Sequence, residues 1–76
     1  MEIQELSKIL RERYENAPNQ EQVVNIHLFG IEYAEIIKKN NYKLSQIIKL
    51  AEMKKSYNAE LSKGIKLAKF VKLKNK

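Results

Sequence analysis

The sequence predicts one mainly α-helical domain of about four helices, with an α+β variant in which residues 23–28 and 69–74 pair as a small two-stranded sheet. Three observations predict it. The chain has 76 residues, room for one small core and no more. It is 43% hydrophobic and 32% charged, the balance of a packed domain rather than a disordered segment. Its apolar residues recur mostly at three- and four-residue steps, the period of a helix with one buried face.

The first element covers residues 3–14. Ile3, Leu6, Leu10 and then Arg13 or Tyr14 share one face, with Ile9 beside them, while Glu2, Glu5, Lys8, Arg11 and Glu12 fill the other. "ENAPNQEQ" ends it, because Asn16 and Asn19 favour turns and Pro18 disfavours the helical state at Ala17. "VVNIHLFGI" reads two ways. Val24, Ile26 and Leu28 alternate with Asn25 and His27, which predicts a strand over 23–28 with Gly30 marking a change of direction. Val23, Val24, Phe29 and Ile31 would also suit a buried helix, but the strand is the favoured reading. From Ile31, the spacing of Ile31, Ala34 and Ile37 is helical, and "KKNNYK" closes that helix. "KLSQIIKLAEM" starts the next, with Ser45 as its expected N-cap and Ile47, Ile48, Leu50 and Ala51 as its buried face. After "KKS", Leu61, Ile65 and Ala68 stack on a last helix capped by Ser56. "KFVKLK" then alternates enough to form a terminal strand.

Composition narrows the function. With no cysteine and one histidine, His27, the chain has neither disulfides nor a set of metal ligands, and a cytoplasmic location fits. "MEIQELSKIL" lacks the basic start and continuous apolar core of a signal peptide, and no apolar run nears the roughly 20 residues that span a bilayer. No serine is patterned with a base and an acid, there is no glycine-rich phosphate loop, and Glu32 and Glu35 are ordinary on a helix surface. No enzyme activity and no cofactor are expected. Tyr14, Tyr33 and Tyr42 suit the edge of a core.

Charge is divided between the halves. Residues 1–37 hold Lys8, Arg11 and Arg13 against seven glutamates, a balance of −4, whereas residues 38–76 hold twelve lysines against Glu52 and Glu60, a balance of +10. A lysine-rich half is the footprint of a polyanion-binding surface, or else a solvated basic face kept for solubility. Within that half, two helices joined at Met53–Lys55 without glycine or proline form a helix-turn-helix arrangement over about 44–67. Met53 is expected to drop between them, with Ala51 small enough for a steep crossing.

On these residues the chain resembles the bacterial and phage helix-turn-helix regulators over Leu44–Gly64. It is similar over most of its length, through "IHLFGIEYA … SYNAELSKGIKLAKFV", to the small HTH-like domain proteins of bacteria. The resemblance implies a recognition helix starting at Ser56, with Tyr57, Asn58, Glu60 and Lys63 on or near its exposed side. Two residues depart from the pattern. Glu52 stands where such turns open with a left-handed glycine, and Asn58 stands where a buried Val or Ile is common, so that either Asn58 points outward or Tyr57 does the packing.

If the motif reads DNA, Asn58 suits an adenine edge and Glu60 a cytosine amino group, while Lys54, Lys55, Lys63 and Lys66, joined by Lys43 and Lys49, suit phosphates. The structural alternatives are a capping role for Asn58, pairing of Glu60 with Lys63 or Lys55, and packing for Tyr57. The expected partner is double-stranded DNA, and the expected role is regulation of transcription or of a mobile element. A homodimer or larger complex would supply enough contact area, formed through the acidic first helix or a strand edge. The competing function is a protein-interaction module, an inhibitor or accessory subunit, on the same scaffold. Membrane-surface binding comes third, since the last helix lacks an aromatic face.

Overall fold

The computed structural model describes residues 1–73 and contains α1 (Ile3–Glu15), α2 (Gln22–Lys39), α3 (Leu44–Leu50) and α4 (Tyr57–Leu67). Leu6 and Leu10 of α1 are fully buried, as the spacing of that segment demands, and they meet Ile26 and Phe29 of α2, Ile47 and Ile48 of α3, and Leu61 of α4 in one core. Tyr14, Tyr33 and Tyr42 are partly buried at its edge, as expected. Helix α1 packs on α2 and α3, and α4 packs on α3 and, most extensively, on α2.

The two-stranded sheet is not formed: there is no strand among the described residues. Residues 23–28 belong to the 18-residue helix α2. The alternation of Val24, Ile26 and Leu28 reflects a helix that is apolar on more than one side. Ile26, Phe29 and Ile37 are buried in the core, whereas Val24 and Leu28 are exposed. Past α4 the chain keeps winding in turns, with the Phe70 and Val71 amides donating to the Leu67 carbonyl at 2.9 and 3.0 Å. Residues 71–73 have no regular structure, and residue 74 of the expected strand lies outside the described residues.

Gly30 does not turn the chain. It lies inside α2 against Gly64 of α4, where an added Cβ would stand 2.9 Å from the Ile65 nitrogen and 3.0 Å from the Gly64 Cα. The two backbones touch because neither residue has a side chain to hold them apart. Arg13 fastens α1 to α2 beside this crossing. Its Nη1 donates to Glu32 at 2.6 Å, and the guanidinium lies 5.4 Å from the centre of the Tyr33 ring, so the Glu32 hydrogen bond holds its pKa above the ordinary value.

The two serines expected as caps do not cap. Ser45 lies within the first turn of α3, where the Lys43 carbonyl accepts from both the Gln46 and Ile47 amides at 3.1 and 3.2 Å. Ser56 is already helical, at φ −59° and ψ −22°, and makes no side-chain cap; the Lys54 and Lys55 carbonyls take the Tyr57 and Asn58 amides, each at 3.0 Å. Asn41 does close α2 as its sequence suggests. It adopts φ 55°, and the Tyr42 amide reaches back to the Ile37 carbonyl at 3.1 Å, a left-handed helix stop.

Candidate nucleic-acid interface

The link between α3 and α4 is built on Glu52. Its φ of 59° puts a carboxylate residue in the left-handed conformation that the helix-turn-helix pattern asks of glycine at this place. Two backbone bonds close α3 around it, from the Glu52 amide to the Lys49 carbonyl at 3.0 Å and from the Met53 amide to the Ile48 carbonyl at 3.1 Å. Arg11 of α1 then donates from Nη1 to the Ala51 and Glu52 carbonyls at 3.3 and 2.9 Å, while its Nη2 pairs with Glu15 at 2.9 Å. These bonds fix the direction in which α4 leaves. Ala51 is buried, as expected, whereas Met53 is only partly buried against the core.

The geometry separates the predicted site residues into two groups. Lys54, Lys55, Ser56, Lys63 and Lys66 are exposed, and so are Lys43 and Lys49 on the side of α3. Ala59, which the sequence reading passed over, is exposed too. It lies four residues after Lys55 and four before Lys63, so Lys55, Ala59, Lys63 and Lys66 share the solvent side of α4. That spacing was the available signal. Among the described residues, the salt bridges involve Arg11, Arg13, His27 and Lys63, and none uses Lys54, Lys55 or Lys66.

Tyr57, Asn58 and Glu60 turn toward the domain instead. The Tyr57 ring meets that of Tyr14 edge-on, with centroids 5.3 Å apart, and the two hydroxyls lie 3.0 Å from each other. This hydrogen bond, with burial, raises the Tyr57 pKa. Tyr57 is therefore a packing residue. Asn58 is partly buried, and its Oδ1 is buried without a hydrogen-bond partner among the described residues. Glu60 accepts from His27 of α2 at 2.8 Å and lies 3.5 Å from Lys63. Because a carboxylate only accepts, the His27 Nε2 carries the proton in this bond. The His27 bond, helped by Lys63, holds the Glu60 carboxyl below its ordinary pKa despite some desolvation.

The family model of the HTH-like domain matches residues 2–74, nearly the whole chain. The chain belongs to the HTH-like domain family. Comparison with curated proteins and with solved structures gave no match. For an HTH-like domain, DNA is the partner suggested at the level of class. No described helix is long and apolar enough to cross a membrane.

Proposed function

We propose that this HTH-like domain binds double-stranded DNA in a sequence-specific way, with α4 in the major groove, as a regulator of transcription or of a mobile element in the bacterial cytoplasm. The observation that carries the reading is the left-handed turn at Glu52, which aims an α4 whose solvent side bears lysines that, apart from Lys63, have no acidic partner among the described residues. Lys54, Lys55 and Lys66 neutralise phosphates, and Lys43 and Lys49 extend that track along α3. Base edges meet Ser56, Ala59 and Lys63: a hydroxyl that serves any base, a methyl that suits thymine, and an ammonium that suits guanine. Of the two residues chemically better suited to read bases, Glu60 is bonded to His27 of α2 and Asn58 is partly buried against the domain.

Fluorescence anisotropy with mixed-sequence duplex at several salt concentrations tests the reading. Binding that weakens steeply with salt is expected, and no binding at low salt refutes it. The Asn58→Ala variant separates the two assignments of that residue, since it keeps its sequence preference if Asn58 only supports the helix.

A second reading, a module that grips an acidic protein through the same lysines, is favoured by the apolar Leu67 and Phe70 beside Lys63 and Lys66. It predicts that duplex DNA fails to bind while the fold stays intact.

A further inference from the structure

Of the two dimer contacts that the sequence suggests, the acidic first helix and a strand edge, the second is missing among the described residues and the first offers a charged face. Helix α1 buries its apolar residues Leu6 and Leu10 in the core, and there is no strand edge among the described residues. Helix α1 packs on α2 and α3, and α3 packs on α4, and these contacts leave apolar side chains of α2 and of the end of α4 uncovered. Val24 and Leu28 of α2, with Leu67, Phe70 and Val71 at the end of α4, are between 38% and 82% exposed. They form one surface. His27 shares a shallow apolar depression with Leu67 and Phe70, Ile31 and Val71 line a second one whose wall also carries Glu32, Glu35 and Lys72, and Val24, His27, Leu28 and Ile31 are neighbours at helical spacing.

We infer that a second copy of this chain docks on this face, with α2 of each copy against α4 of the other. Two observations point to the second copy. The five residues leave roughly 450 Å² of exposed surface, about the apolar share of a standard interface of ~800 Å² per partner. The rim is also self-complementary. On α2 the face is flanked by Glu21 and Glu35, with no lysine or arginine before Lys38, whereas on α4 it is flanked by Lys63 and Lys66. A two-fold axis that sets α2 on α4 therefore brings each carboxylate side to an ammonium side, while a parallel pairing of like helices would not. Lys54, Lys55 and Ala59 stay outside the contact and remain open to DNA in the dimer. Lys66 and Lys63, the latter also 3.5 Å from Glu60 of its own chain, stand at the rim between the partner copy and DNA, so the inference rests on the DNA reading for the first three residues alone.

Sedimentation equilibrium of the full chain, from micromolar to hundreds of micromolar, tests the contact. The expected apparent mass is twice that of the chain. Both Phe70→Ser and Leu28→Glu halve it without changing the helical circular dichroism, because both residues are exposed in the single copy. A monomer throughout the range overturns the inference, and so does a dimer that both variants leave intact. Anisotropy with mixed-sequence duplex keeps the two readings apart. A dimer that ignores DNA leaves the contact standing and removes the DNA reading. A monomer that binds DNA with steep salt dependence does the reverse.

Discussion

Gly30 and Gly64 are the only two glycines of the chain, and neither sits in a turn. Both are in helices, where glycine costs about 1 kcal/mol relative to alanine, so something must offset that cost. What offsets it is the close crossing of α2 and α4. A Cβ on Gly64 would stand 2.9 Å from the His27 Cα and nearer still to the His27 carbonyl oxygen, and backbone atoms of a neighbouring helix cannot rotate away. For Gly64→Ala the clash outweighs the gain in helix propensity. A net loss of about 2 kcal/mol is expected, read as a fall of about 10 °C in the thermal midpoint. A midpoint equal to or above that of the parent would mean that the helices separate at little cost. The same crossing shapes the site, because it fixes which side of α4 faces solvent.

At the level of elements, the turn between α3 and α4 holds its shape against the preference of its own residue. Glu52 adopts φ 59°, a conformation that costs a non-glycine residue roughly 1 kcal/mol, and its carbonyl is held by Arg11 at 2.9 Å. Glu52→Gly removes that cost while keeping the carbonyl, so chemical denaturation should give a gain of about 1 kcal/mol; a loss would place the strain elsewhere. The link between α2 and α4 responds to pH. The Glu60 carboxyl lies below its ordinary pKa, chiefly through the His27 hydrogen bond, so its contribution is fully present above the ordinary carboxylate range and disappears as pH falls through the depressed value. Thermal midpoints of parent and Glu60→Gln should differ at neutral pH and converge under acid conditions. A gap that stays constant with pH would exclude the carboxylate as its source.

These elements were unequally legible. The buried steps Leu61 and Ile65 are local properties, visible in the residues themselves, whereas the left-handed turn at Glu52 is implied by the resemblance to helix-turn-helix turns and by nothing in the glutamate. Residues 23–28 misled because α2 buries Ile26 and Phe29 in the core, turns His27 and Gly30 to α4, and leaves Val24 and Leu28 for solvent. A helix apolar on several sides loses the one-stripe pattern that marks it. For Glu60, the alternative of pairing with Lys63 is borne out at 3.5 Å, but its closer partner was not legible. Its partner His27 is 33 positions away, and only the fold brings them together.

Over the whole molecule, the division of charge in the sequence becomes a division of availability. The cations Arg11 and Arg13 of the acidic half are engaged with Glu15 and Glu32. On the basic half, Lys54, Lys55 and Lys66 are exposed, and among the described residues they form no salt bridge. A polyanion meeting the molecule from the α4 side finds ammonium groups that need not leave another partner. Each phosphate neutralised by one of them should add about one to the slope of log affinity against log salt. The expectation is specific to position. Alanine at Lys54 or Lys55 lowers that slope by about one each, and the pair lowers it by about two, since the groups act on separate phosphates. Lys8 is equally exposed but lies on α1 in the acidic half, and Lys8→Ala should leave the slope unchanged. If all three variants reduced the slope alike, binding would follow net charge and not the side of the molecule that α4 presents.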